Sequence, residues 1–459
     1  MKKLSLSVII CLTMIAVRGQ DTTEQKETPY KARVLESTEI DLLGSYYKQD
    51  GDHAAVSGGT GTEKLTDVAP TIVISVPLND DEVLTIDAGI SSYTSASSSN
   101  INPFDGKKPA DPFQATSGAS RMDVYTNVTG SFSHSSDNRN RIWSAKLSLS
   151  NEFDYTSLGF GGSYAWLFNE KNTEFSLSGN VYLDTWKLLY PVELRSFTNN
   201  GGNEDEDEDD DGGRVPWEKM TGNLNYAPSF TGFNDKSRNS YSLGIGFSQI
   251  LSKKLQASVS IDLVRQDGLL STPFHRIYFA DKPDTYIENF QLADDVEHLP
   301  DTRLKAALGG RLNYFLNEIF VARTYYRYYV DDWGIISHTA SIEIPVKLSS
   351  KFTIYPSYRF YSQTATDHFA GYEQHVSTEK YYTSDYDLSG FHANQYGFGI
   401  SYTDVLAKSR LWYLHMKSID LKFHHYERDS GFKANMISFG IKFTLDTQGL
   451  AKRKTSSAL

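Results

Sequence analysis

Basic residues recur at even spacings in the second half of the chain. Lys305 and Arg311, then Arg323 and Arg327, and then Lys347, Arg359 and Lys442 follow one another, with Glu343 among them. In an extended chain, residues an even number apart point to the same side. Strands in the earlier part of the chain supply the opposite sign on the same inward face, through Glu39, Asp41, Asp87, Asp123, Asp184 and Asp262. If all of these face one interior, its opposite walls carry opposite charges. A water-filled passage with such a field selects polar, charged small solutes over apolar ones. The same groups could instead pair across the interior and fill it, with a loop folded inside. The sequence leaves both readings open.

Histidines are the other residues with chemistry to offer. His53, His275 and His375 are the leading metal candidates. His298 lies in Glu297-His298-Leu299-Pro300, and His368, His375 and His392 sit in or near another long loop, close to Asp367, Asp385 and Asp387. Neighbouring loops can bring such residues together, but the chain has no H-x-x-x-H or H-E-x-x-H spacing that fixes a site locally. Glu204 to Asp211 is an unbroken acidic run between Gly201-Gly202-Asn203 and Gly212-Gly213. Such a run stays solvated and can hold a divalent cation loosely, though its spacing matches no calcium loop. No other cofactor is expected. Catalysis needs a nucleophile, a base and an orienting group held together, and Ser337 beside His338 is too ordinary a pair to supply them. No enzyme is expected.

The elements that must hold these residues show a two-residue period. Phe175, Leu177, Gly179, Val181 and Leu183 alternate with Ser176, Ser178, Asn180, Tyr182 and Asp184. Leu255 to Leu263 repeats the pattern, as do 83–90, 122–132, 143–149, 241–247, 304–312, 336–348 and 352–363. Each segment is about ten residues long, the length that crosses a bilayer at a tilt. Short polar turns at 79–81, 135–140, 169–172, 252–254, 316–318 and 349–351 alternate with long connections near 49–63, 95–120, 185–239, 266–301 and 364–394. That asymmetry predicts an all-β, antiparallel transmembrane outer-membrane barrel of about sixteen strands. Its turns would be periplasmic and its long loops extracellular. The hairpins at 151–156, 330–335 and 403–418 leave the count open by one pair.

Composition agrees. The chain has 29 Tyr, 25 Phe and 33 Gly, and a net charge of -12 that argues against a nucleic-acid partner. Its mean hydropathy of -0.43 excludes a helical membrane protein. Lys2-Lys3 followed by the apolar stretch Leu4 to Val17 predicts an export signal at 1–19. The single cysteine, Cys11, falls inside it, so the exported chain would have no disulfide or thiolate metal site. Residues 20–33 then read as a periplasmic segment, 34–445 as the barrel, and 446–459 as a tail. Ser438 to Leu445 is similar to the terminal strand that outer-membrane assembly machinery reads, although the tail follows it. A soluble sandwich is the competing fold, but it would need several domains, and no composition break or fixed-length repeat marks one.

Several stretches resemble an uncharacterised bacterial outer-membrane β-barrel family catalogued only as a domain of unknown function. They are Asp52 to Glu63, Ser95 to Pro103, Trp186 to Glu193, Ser271 to Arg276 and Tyr381 to Leu388. The most specific is Arg323 to Ala340, which contains the turn Asp331-Asp332-Trp333-Gly334 and His338. The acidic run lies outside the family pattern. The resemblance implies a barrel and, from the genes that accompany such proteins, a link to flavin-attaching, thioredoxin-like or small lipoprotein partners. The expectation is a porin-like channel or transporter for a small polar solute or ion in a Gram-negative outer membrane, with periplasmic termini. Its partners would be lipid and the assembly machinery. The alternative is a platform for an exported redox or metal-handling lipoprotein.

Overall fold

A computed structural model describes residues 33–94, 122–197, 215–404 and 409–445. The expected export signal, nearly all of the segment 20–33, Ser95 to Pro103, the acidic run 204–211 and the tail 446–459 lie outside those residues. Sixteen long strands form the framework. They are β1 (Glu39–Asp50), β2 (Leu65–Pro77), β3 (Glu82–Thr94), β4 (Met122–Ser135), β5 (Arg141–Asn151), β6 (Tyr155–Phe168), β7 (Thr173–Trp186) and β8 (Ser237–Ser252). The second half comprises β9 (Leu255–Gly268), β10 (Thr302–Phe315), β11 (Val321–Asp331), β12 (Ile336–Glu343), β13 (Phe352–Gln363), β14 (Phe391–Thr403), β15 (Leu414–Arg428) and β16 (Lys433–Leu445).

Each strand pairs antiparallel with the next, and β16 returns to β1 in a register running from Glu39↔Thr444 to Asp50↔Lys433. Closure leaves no unpaired edge, the condition for a sheet inside hydrocarbon. The outer face is apolar around the whole circumference: Leu42, Ile72, Val128, Leu147, Phe160, Leu177, Leu243, Ile261, Leu308, Ile400, Leu421 and Ile437 are all exposed there. Trp143, Trp166, Phe168, Tyr314 and Phe352 ring the short-turn end, and Tyr46, Tyr241 and Tyr328 lie toward the other. Such a belt with aromatic margins is stable only in lipid, so the barrel is transmembrane.

The ambiguous hairpins resolve into strands. Residues 152–154 and 332–335 make tight connections at the same end as the long loops, as does 429–432, so loop length does not alternate strictly. The pair at 403–418 is the end of β14 at Thr403 and the start of β15 at Leu414, on the short-turn side. One expected strand breaks. The period continues from Ile336 to Leu348, but Pro345 has no N–H for the ladder, and pairing stops at Glu343 before resuming at Val346–Lys347. Both ends of the barrel lie on the short-turn side, where the Leu445 N–H donates to the Thr38 carbonyl at 2.9 Å.

Candidate functional site: the lumen wall and the loop cap

Alternation places the predicted charges on the inner face. Asp87, Asp184 and Asp262 face inward, as do Lys305, Arg311, Arg323, Arg327 and Arg359. The backbone of Asp123 pairs with Tyr93, but its side chain lies outside the described residues. The two walls differ in bulk as well as in sign. From β3 to β9 the inner face is largely Ser, Thr, Asn and Gly, with Ser148, Gly159, Ser178, Gly244, Gly246 and Ser260 at its middle. From β10 to β13 it carries Arg303 near the mouth, paired with Asp331, and deeper in the wall the guanidinium groups of Arg311, Arg323, Arg327 and Arg359 among Tyr325, Tyr329, Tyr355 and Tyr361.

Those four deeper guanidinium groups are poorly matched by carboxylates. Arg323 reaches Glu343 at 2.9 Å, and Glu343 is also approached by Lys422 at 4.0 Å. Arg311 lies over the Tyr325 ring at 4.9 Å and Arg327 over the Tyr329 ring at 5.8 Å. Among the described residues, Arg311, Arg327 and Arg359 have no ion pair. The acidic end of the first half, by contrast, is neutralised: Lys442 contacts Glu39 at 2.9 Å and Asp41 at 3.7 Å.

The signature turn is structural. Asp331 accepts from the Nε of Arg303 at 2.9 Å, from the Tyr329 hydroxyl at 2.7 Å, and from the backbone N–H groups of Trp333 and Ile335. Asp332 accepts from the Leu304 N–H, and the Trp333 indole donates to the Thr302 carbonyl at 3.0 Å. Gly334 has φ +89, a region that disfavours any side chain, and a Cβ there would meet the Asp367 carboxylate. The turn thereby anchors the loop after β13, because Thr366 and Asp367 both donate to the Trp333 carbonyl. His338 lies apart from it, on the outward face of β12, accepting or donating at 2.7 Å with the Tyr326 hydroxyl.

Four long loops fold into a packed cap. Tyr190, Leu194, Phe230, Tyr278, Ala293 and Val296 form one buried cluster, and Ile287, Phe290 and Leu292 another. At its centre Arg276 and Glu193 are fully buried. The Nη1 of Arg276 also donates to the Val56 carbonyl at 3.2 Å. Val56 sits between β1 and β2, and Arg276 sits between β9 and β10. Those two loops leave a sixteen-stranded rim eight strands apart, on opposite sides. The contact is therefore made across the mouth, and the cap bridges it. Where the cap meets the wall, a cavity of about 310 Å³ is lined by Tyr47, Glu63, Asp387, Gln395, Tyr426 and Arg428. Burial pushes the Glu63 carboxyl above its usual range.

The histidine candidates separate. His53 stacks on Tyr386 at 3.8 Å, with Nδ1 3.2 Å from the Gly59 carbonyl. His375 bonds Glu379 at 2.5 Å and the Thr383 carbonyl at 2.9 Å, so both of its nitrogens are occupied. Among the described residues His275 alone converges with two carboxylates, those of Glu297 and Asp385. Burial, reinforced by Asp387, pushes Asp385 up to about 7. Burial would lower the His275 pKa, but the Glu297 carboxylate outweighs it and holds the imidazole above its ordinary value. Glu297, Arg276, Glu193 and Arg303 were not singled out by sequence reasoning. They lie in or beside aperiodic loops; Glu193 and Arg276 had the one signal of closing two family-like stretches, and Glu297 and Arg303 had none.

The family model for the Protein of unknown function (DUF3570) family matches residues 5–437. The chain belongs to that family. No curated protein matches it. Solved structures with a similar fold include a bacterial polysaccharide outer membrane secretin, at 12% identity and TM-score 0.43, covering 89% of this chain and 98% of that one. A BenF-like porin from Pseudomonas fluorescens Pf-5 aligns at 8% identity and TM-score 0.40, covering 89% and 98%. A TodX monoaromatic hydrocarbon channel mutant aligns at 9% identity and TM-score 0.38, covering 90% and 91%. At such identities the likeness extends to barrel architecture, and what those proteins carry is not transferred to this one.

Proposed function

We propose that this family member is a capped, porin-like channel of the outer membrane, with its termini periplasmic and its cap outside, and that it favours small anionic solutes. One observation carries the reading: Arg311, Arg327 and Arg359 face the lumen without carboxylate partners among the described residues, opposite a wall of small polar residues. Sixteen-stranded barrels are wide enough for an aqueous lumen. Guanidinium groups crowded on one wall lower their mutual repulsion by drawing an anion between them. The small opposite wall leaves room for it. The same groups do not suit an apolar solute, whose passage would require desolvating them.

Planar-bilayer recording of the purified protein tests this. Stepwise openings with a reversal potential favouring anions are expected, and Arg323→Ala with Arg327→Ala should shift that potential toward cations. An open pore with unchanged selectivity in the double variant would remove the basis of the proposal. A silent barrel that co-purifies with a small lipoprotein would favour the platform reading instead.

A further inference from the structure

The cap contains a set of side chains that the channel reading does not use. His275 and Glu297 come from the loop between β9 and β10, and Asp385 from the loop between β13 and β14. One nitrogen or oxygen from each lies within 4.8 Å of the others. We propose that His275, Glu297 and Asp385 bind one divalent transition-metal ion, which ties these two cap loops together.

Three observations support the site. The first is an orphaned atom. Nδ1 of His275 is shielded from water and has no hydrogen-bond partner. It faces Oε1 of Glu297 at 3.6 Å, beyond hydrogen-bond reach. A buried polar atom left in this way is destabilising, a penalty that coordination removes. The second is the support around the carboxylates. Glu297 accepts from the Thr383 hydroxyl at 2.5 Å and the Thr272 N–H at 2.7 Å, and Asp385 accepts from the Asp387 N–H at 2.9 Å. Hydrogen bonds of this kind orient ligating carboxylates and leave lone pairs for an ion.

The third is the donor chemistry. Bonds of about 2.0–2.2 Å to nitrogen and carboxylate oxygen set ligand atoms roughly 3–4 Å apart. The His275–Glu297 pair is already at 3.6 Å, and the group as a whole, within 4.8 Å, has to contract by up to about 1–2 Å. An imidazole nitrogen argues against calcium or magnesium, which take oxygen ligands. One imidazole with two carboxylates suits zinc, manganese or ferrous iron, with water completing the shell. An ion also offsets the charge of the buried Glu297 carboxylate and the half-buried Asp385 carboxylate beside one histidine. This inference stands independently of the channel reading, because a barrel silent in conductance still binds the ion.

The full-length protein, purified from membranes in detergent and stripped with EDTA, is dialysed against Zn²⁺, Mn²⁺ or Ca²⁺ alone and its metal content measured. The expected result is about one equivalent of Zn²⁺ or Mn²⁺ per chain, with Glu297→Gln weakening binding roughly tenfold or more. Heat-modifiable gel migration reports whether the barrel has folded. Asp385→Asn, on the other loop, serves as the second variant should Glu297→Gln fail to fold. Substoichiometric Zn²⁺ and Mn²⁺, or binding of Ca²⁺ alone, would overturn the proposal. So would variants that bind as the unaltered protein does, because the triad would then be only an imidazolium–carboxylate pair.

Discussion

The guanidinium of Arg276 grips the carboxylate of Glu193 with two bonds, Nε to Oε1 at 2.7 Å and Nη2 to Oε2 at 3.1 Å, and neither side chain is exposed to water. These residues belong to different loops, 83 positions apart, and the same guanidinium holds a third loop through Val56. The pair is thus the point at which the cap is fastened. Removing one partner leaves the other charge buried and unpaired, at a cost of about 3–5 kcal/mol. Arg276→Met should therefore expose the cap to protease while the barrel stays folded. Adding Glu193→Leu should restore most of the resistance. Equal sensitivity of the single and double variants would show that the pair is not what fastens it.

Neighbouring inner and outer positions offer a direct test of which face meets lipid. Leu308 lies near the middle of the outer belt and Ser260 on the inner wall of the adjacent strand. Leu308→Arg should destabilise the barrel by about 2–4 kcal/mol, and Ser260→Arg by much less, as read by urea unfolding in detergent or lipid. Comparable losses at the two sites would mean that the inward and outward phases are misassigned.

The lumen charge balance can also be moved in the opposite direction from the arginine deletions. Glu343 is the carboxylate that pairs with Arg323. Glu343→Gln should release that guanidinium and increase anion preference in single-channel recordings. A shift toward cations would contradict the assignment of the selective wall.

The cap should also respond to pH through Asp294. Burial raises its carboxyl to about 6 from an ordinary 3.8, although the Phe279 N–H donates to it at 2.9 Å. A raised carboxyl stabilises the folded state while it is protonated. Its contribution is complete below about pH 3.8 and is lost as the pH rises to about 6. After allowance for partial exposure, the effect is on the order of 1 kcal/mol. Asp294→Asn should flatten the dependence of cap opening on pH in that window, measured by hydrogen exchange. An unchanged slope would assign the dependence to another group.

The barrel was legible in the sequence because its information is local. Each strand carries its own two-residue period, so Leu177 beside Ser178 states which side faces lipid without reference to any partner. Turn residues such as Asn169 to Asn172 mark the ends in the same way. Asp331-Asp332-Trp333-Gly334 reads as a tight turn even though it sits where a long loop was expected, and the bonds around Asp331 show what holds it. The break at Pro345 was visible as a proline but was overridden by the period around it. The cap was not legible at all. Arg276 and Glu193 lie in two family-like stretches, and nothing in either spacing says that the stretches meet. His275 looked no different from His53 or His375 until the folded loops gave it Glu297 and left the others with private hydrogen bonds.

The bridge from Val56 to Arg276 also sets an order of events. Its two ends are separated by 220 positions in the chain, and the second enters only after nine strands have been made. Contacts of such long range form late, because the intervening chain must first be organised. The mouth is therefore spanned only after its rim exists. On that order the covering of the mouth is the last part of the molecule to be completed.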